Sequence, residues 1–355
     1  MEKKAAILLS GGVDSAVAAF LMKERGFGVE GFFMRTDFFT EEAEKSAKKI
    51  ADFLDIKLNI LDATKEFSEI VIQNFESEFS KLRTPNPCAL CNKKIKFGFL
   101  FNEIRKREFE TIVSGHYIAK YQIGGALPLE EGQEYKLRKA KDNKKDQTYF
   151  LYNLTQDQLK YLEFPLGGLT KQEVFEIAQK NNLPISISES QDICFLRGDH
   201  NKYLQQHLKL ENGPIVDKTG KIVGEHFGLP LYSIGQRRWI KIGGTGPYYV
   251  LRIDAKNNSL VVSNRFDDPE FYDDKFEVSK ASWVSGQEFK QNLEQENLSV
   301  KIRYLHPDIL VKKLEKMGEG RYKVILKKPQ RAIIAGQSAV FYQGEELLGG
   351  GIIEH

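Results

Sequence analysis

The sequence predicts an α/β N-terminal domain, a parallel sheet flanked by helices, followed by two small β-barrel-like domains. Three observations carry this reading. The chain has 355 residues, too many for one ordinary core at roughly 100 to 200 residues per domain. Its first half alternates short apolar runs with amphipathic stretches. After Leu210 the texture changes to short strands punctuated by turn signals. The expected domains are 1–209, 210–280 and 281–355, with Phe276 to Gln287 as the place where one β domain ends and the next begins.

In order, Ala5 to Leu9 and Val29 to Met34 read as buried strands, and Ala16 to Arg25 and Glu41 to Leu54 as helices. Lys57 to Leu61 and Thr111 to Val113 continue the strand series, with helices expected at Phe67 to Lys81 and Lys93 to Lys106 between them. Helical patterning returns at Thr155 to Leu162, Lys171 to Asn181 and Asp199 to Leu208. Beyond that, Asp217-Lys218-Thr219-Gly220 and Lys256-Asn257-Asn258 are turns between short strands, as in small barrels or sandwiches.

A hydrophobic fraction of 41% and a charged fraction of 28% are ordinary for a globular chain. The mean hydropathy of −0.41 agrees. No apolar run approaches the roughly 20 residues of a membrane span, and the expected location is the cytoplasm. Three cysteines, Cys88, Cys91 and Cys194, are too few and too unevenly placed for a secreted disulfide framework and favour thiol or metal chemistry. A net charge of +3 is a weak pointer to a polyanionic partner.

The first strand runs into Ser10-Gly11-Gly12-Val13-Asp14-Ser15 and then a helix. Consecutive glycines let the backbone turn tightly, and free amides at a helix N-terminus bind phosphate, so a nucleotide site is expected here. The lysine of an ordinary Walker loop is missing, as is G-x-G-x-x-G. A bare Gly-Gly turn would account for the glycines but not for both serines and the aspartate. The amides and the Ser10 and Ser15 hydroxyls would hold pyrophosphate, with Asp14 available to magnesium.

In Thr84-Pro85-Asn86-Pro87-Cys88-Ala89-Leu90-Cys91-Asn92-Lys93 two prolines precede a helical run. Cys88 or Cys91 then falls near a helix N-terminus, where the dipole, helped by Lys93, Lys94 and Lys96, would enrich the thiolate. Cys194 follows about a hundred residues later. Buried inert thiols, a redox pair, half of a zinc site, and an iron-sulfur cluster held by Cys88, Cys91 and Cys194 are the competing readings. Zinc is disfavoured, because no second C-x-x-C exists and the six histidines show no metal-binding spacing.

The form S-G-G-x-D-S resembles the PP-loop of ATP pyrophosphatases. Together with Thr84 to Phe97 and the late Cys194, it resembles the tRNA-specific 2-thiouridylases. The likeness extends through Ser114-Gly115-His116-Tyr117, Lys145 to Leu151, Gly235-Gln236-Arg237-Arg238 and Ala335 to Tyr342. The resemblance implies an adenylating PP-loop domain, ATP and magnesium as cofactors, tRNA as substrate, and a cysteine desulfurase or sulfur-relay protein as persulfide donor. It implies ATP contacts at Leu8, Leu9, Ser10, Gly11, Gly12, Val13, Asp14, Ser15, Met34 and Gly115. Cys91 would be the nucleophile and Cys194 the persulfide carrier, with Asp14 assisting. Asn86, Pro87, Cys88, His116, Lys145, Asp146, Gln147, Arg303, Tyr304 and Gln337 would touch tRNA.

In the family's pattern the position of Cys88 is an aspartate. A thiol there strengthens the three-cysteine cluster reading and permits a Cys88–Cys91 disulfide on oxidation. Phosphate contacts are expected from Lys136 to Lys145, with Arg138, Lys139, Lys141 and Lys144, and from Arg237-Arg238. A PP-loop synthetase adenylating a small molecule is the alternative. It would use Ser10 to Ser15 but leave Cys91, Cys194 and the β domains without work.

Overall fold

The computed structural model describes residues 3–38, 41–122, 134–185, 194–196, 198–240, 242–243, 246–288 and 297–354. Residues 190–193, part of the motif before Cys194, lie outside the described residues.

Strands β1 (Lys4–Leu8), β2 (Gly28–Arg35), β3 (Lys57–Asp62), β4 (Thr111–Val113) and the later two-residue β7 (Leu162–Glu163) form a parallel sheet of order β3-β2-β1-β4-β7. Between β4 and β7 stands a hairpin, β5 (Ala119–Gln122) and β6 (Tyr135–Arg138). Period-two alternation sorts the sheet's side chains. Ala5, Ile7 and Leu9 face a core with helices Val13–Glu24, Glu41–Phe53 and Lys171–Lys180. Ala6, Phe32 and Met34 face a second core with the helical segments at 64–80 and 87–105.

Helix 155–162 is shorter than expected. Thr155 and Gln158 form a capping box that starts it, but it ends at Leu159, and Leu162–Glu163 pairs with Ile112 and Val113 instead. The open edge of β4 offers ladder hydrogen bonds that a continued helix would leave unmade.

The central region is a four-stranded sheet of order β10-β11-β8-β9, from β8 (Gly213–Val216), β9 (Ile222–His226), β10 (Tyr249–Asp254) and β11 (Ser259–Ser263). Asp217 Oδ1 accepts from the amides of Thr219 and Lys221, and Gly220 takes φ +88°, so the expected turn forms where it was read.

Strands β12 (Tyr272–Trp283), β13 (Leu298–Lys301), β14 (Ile309–Gly318), β15 (Arg321–Arg331), β16 (Ser338–Gln343) and β17 (Glu346–Glu354) run β12-β15-β14-β13-β16-β17. β17 returns to β12 and closes a six-stranded barrel. The expected boundary at 280/281 falls inside β12. Lys280 has φ +50° and the register shifts between Ser279 and Ser282, so a bulge interrupts the pattern without ending the strand.

The β5–β6 hairpin is hydrogen-bonded to β17, with Arg138 opposite Glu346 and Leu137 opposite Leu347, so the first domain and the barrel share one sheet. Among the described residues no helix is long and apolar enough to cross a membrane.

Candidate functional site

The phosphate loop leaves the C-terminal end of β1, where a parallel sheet presents its ligand crevice. Leu9 donates its amide to Phe32 O at 2.9 Å, which keeps the strand extended up to Ser10. Gly11 then turns at φ +87°; a Cβ there would meet Ala43 O at 2.5 Å, and its own carbonyl accepts from Ser46 Oγ at 2.8 Å. Gly12 is the extended residue before helix Val13–Glu24. Inside the loop, Ser15 Oγ donates to Gly12 O at 2.9 Å and accepts from Ser10 N at 3.2 Å. Ser10 and Gly12 are exposed, while Leu9, Gly11, Val13 and Ser15 are buried supports. Gly115 abuts the loop from β4, since a Cβ on it would lie 3.0 Å from Ser15 N. Met34 is buried in β2.

Asp14 is already engaged. Its Oδ1 accepts from Tyr117 Oη at 2.7 Å and from Lys171 Nζ at 2.6 Å. Burial, then the Asp14 charge, raises Tyr117 well above the ordinary tyrosine range, so its hydroxyl stays a donor. Sequence reading missed Lys171, which lies 157 residues from its partner. A lysine at the start of the Lys171–Lys180 helix, after the cap Thr170, was the only signal available.

The cysteine segment is held from the barrel. Thr84 N donates to Ala335 O at 2.9 Å, and Gln337 Nε2 donates to Thr84 O at 3.0 Å and Pro85 O at 3.2 Å. Asn86 Nδ2 donates to Ser338 Oγ at 3.0 Å. Asn86 Oδ1 also accepts from Ala89 N at 3.1 Å, and Pro87 occupies the first helical turn, so Asn86 and Pro87 fix the start of helix Pro87–Cys91. The wide turns of Asn92–Leu100 continue it.

Cys88 is half-buried, Cys91 buried and Cys194 exposed, and none is bridged. The expected thiolate enrichment at Cys91 does not hold. Burial pushes its thiol up to about 12, with Lys96 opposing and the Cys194 and Cys88 charges reinforcing. Cys91 stands a full turn inside the helix that starts at Pro87 rather than at its opening, Lys93 is drawn off to Asn153 Oδ1 at 3.1 Å, and Lys94 is exposed. Cys194 is accessible at its residue surface, yet the protein around its sulfur pushes its thiol up too, against Lys96. The fold thus brings Cys91 within electrostatic reach of Cys88, Cys194 and Lys96, and Cys194 within reach of Lys96.

Among the described residues no three His, Cys, Asp or Glu side chains converge as a metal-binding group, the three cysteines included. Magnesium would have Asp14 and the phosphates of its own nucleotide as ligands.

The expected tRNA-contacting residues divide. His116 is buried with Nδ1 2.6 Å from Ser114 Oγ, and burial, then Lys96, holds it well below the ordinary imidazole range. Asp146 is buried, accepting from Ala140 N at 3.1 Å and Thr148 Oγ1 at 2.6 Å. Both lie beneath the surface. Gln147 accepts from Tyr117 N at 2.9 Å, and Gln337 is occupied as described. Lys145 is exposed, and exposed Tyr304 lies against Phe150 with ring centroids 4.5 Å apart. Arg303 Nη2 donates to Arg331 O at 3.0 Å.

In the basic stretch, Lys136 pairs with Glu346, Lys139 with Asp308 and Lys141 with Glu173. Lys144, Lys145, Arg237 and Arg238 stand exposed.

A family model described as the tRNA methyl transferase HUP domain matches residues 3–198, its PRC-barrel domain 201–264, and an aminomethyltransferase beta-barrel domain 273–353. The tRNA-specific 2-thiouridylase MnmA of Syntrophomonas wolfei is 36% identical over 353 residues, 99% of each chain. Its namesake from Mycoplasma capricolum is 39% identical, over 100% of this chain and 99% of its own. That from Desulfotalea psychrophila is 38% identical over 98% of each.

The chain belongs to the tRNA-specific 2-thiouridylase family.

Membership in that family accounts for what the geometry gathers: a PP-loop, a buried thiol on a clamped helix, and a second thiol delivered from a distant segment. It also gives the Ala335-Gly336-Gln337-Ser338 string a concrete task in this chain, that of holding Thr84 to Asn86.

Proposed function

We propose that the protein is a tRNA sulfurtransferase that replaces the C2 oxygen of the wobble uridine with sulfur at the expense of ATP. What supports the reading most is that Cys91 and Cys194, far apart in sequence, come within electrostatic reach of each other in a chain whose phosphate loop is intact.

Amides of the loop and the Ser10 hydroxyl bind the ATP phosphates, and Asp14 would hold a magnesium ion that neutralises part of their charge. Uridine O2 attacks the α-phosphorus, pyrophosphate leaves, and N3 gives up its proton. The terminal sulfur of a Cys194 persulfide, loaded by a desulfurase or relay protein, then attacks C2 and AMP departs. The Cys91 thiolate attacks Cys194 Sγ, which breaks the S–S bond, releases 2-thiouridine and leaves a Cys91–Cys194 disulfide for a cellular thiol to reduce. Alternatively, Cys91 attacks first and frees hydrosulfide as the nucleophile. A wobble base splayed from its loop reaches such a site for a few kcal/mol. The cytoplasm is the compartment where tRNA and reducing thiols meet.

The test is a mercury-gel shift of unmodified tRNA after incubation with protein, ATP, magnesium and a persulfide source, beside Cys91→Ala. An ATP-dependent retarded band that the variant lacks is expected. AMP release without a band would overturn the sulfur acceptor assignment.

A further inference from the structure

Asn92, directly after Cys91, is only 4% exposed. Its Nδ2 donates to Phe150 O at 3.2 Å, which fixes the amide's orientation, since a carbonyl cannot receive the oxygen end. Its Oδ1 is buried and has no hydrogen-bond partner among the described residues. A buried acceptor left open is costly, and it calls for a partner that arrives with water or a ligand.

Position says which. Cys88, Asn92 and Lys96 follow at steps of four and share one helix face. Half-buried Cys88 is the rim of that face, Asn92 lies one turn beneath it, and half-buried Lys96 one turn further. The Lys96 ammonium makes no hydrogen bond or ion pair among the described residues, yet its charge reaches Cys91, Cys194 and His116. An open buried acceptor and a cation thus lie four residues apart on the helical segment that carries Cys91. The imide edge of uracil presents N3–H between two carbonyl oxygens, a donor flanked by acceptors. Cytosine presents a lone pair at N3.

We propose that Asn92 Oδ1 and the Lys96 ammonium read the imide edge of the target uracil, the amide accepting N3–H and the ammonium donating to the adjoining carbonyl. This rests on the function proposed above. Asn92 is then the residue that selects uridine, because a cytosine would set its N3 lone pair against Oδ1. Lys96 contributes to both bases, which share the C2 carbonyl.

The experiment measures binding of anticodon stem-loops carrying uridine or cytidine at the wobble position to the full chain. Wild-type protein should prefer uridine by about 10- to 100-fold, the range for one buried hydrogen bond against an opposed acceptor. Asn92→Leu should erase that preference by weakening uridine alone, whereas Lys96→Met should weaken both. A preference that survives in Asn92→Leu, or that is absent from wild type, overturns the proposal and leaves water as the partner. Should Asn92→Leu fail to fold, N3-methyluridine supplies the same deletion from the substrate side; wild-type protein must lose about as much affinity for it as for cytidine, and equal binding of methylated and plain uridine overturns the idea. Failure of wild-type protein to release AMP with the uridine RNA would instead bring down the functional reading itself.

Discussion

If burial controls Cys91, its reactivity should be suppressed by a definite factor and freed only with pH. The thiol moves from an ordinary 9.0 to about 12, three units, which at 1.36 kcal/mol per unit is about 4 kcal/mol against ionising it in place. At pH 8 the thiolate fraction falls from about one in ten to about one in ten thousand, a thousandfold. Alkylation by iodoacetamide, followed peptide by peptide in a mass spectrometer between pH 7 and 10, should give Cys91 a rate that climbs tenfold per pH unit without levelling. The folded thiol keeps its proton where an unfolded one loses it. This group therefore removes stability as pH rises from about 9 towards about 12, and thermal midpoints should fall in that window less steeply in Cys91→Ala. A Cys91 rate that levels off near pH 9 would refute the argument. The mechanism proposed above requires docking of adenylated RNA to lower this barrier, since it consumes the Cys91 thiolate.

Further expectations follow from close backbone approaches. Gly336 takes φ +91°, and a Cβ there would lie 2.9 Å from Thr84 O, so Gly336→Ala should cost roughly 2 to 4 kcal/mol and slow thiolation while leaving ATP affinity intact. Calorimetry and a KM-against-kcat comparison would check it. Gly115→Ala presses on Asp14 and Ser15 and should raise the KM for ATP about tenfold or more, measured as AMP release. With Lys144, Lys145, Arg237 and Arg238 available to phosphates, log affinity for tRNA should fall with log salt at a slope of about −3 to −4; a flat response would exclude them.

The parallel sheet and the phosphate loop were legible because they are local patterns: apolar runs at Ala5 to Leu9 and Val29 to Met34, and glycines between a strand and a helix. The barrel's extent was not, because the bulge at Lys280 imitates a strand end. The β5–β6 hairpin was missed for a different reason. Lys136 and Lys139 read as an RNA-binding stretch, and their neutralising partners Glu346 and Asp308 come from the barrel. The same holds for Cys91. Nearby lysines and a helix start are visible in sequence, but the burial of the sulfur comes from the packed core that Cys91 joins. Asp14 likewise shows its chemistry in sequence and its partners, Tyr117 and Lys171, only in the fold.

The clamp on Thr84 to Asn86 sets an order of events during synthesis. Arg83 pairs with Glu354, Thr84 with Ala335 and Asn86 with Ser338, across separations of about 250 residues or more. The phosphate loop can be completed while the ribosome is still translating β8, but the segment leading into Cys91, held until then by Arg83 on Glu78 and later by Thr84 on Ser233, lacks its barrel clamp until β16 and β17 exist. A nascent chain can therefore acquire its nucleotide-binding half well before its sulfur-handling half, and only the finished barrel joins the two.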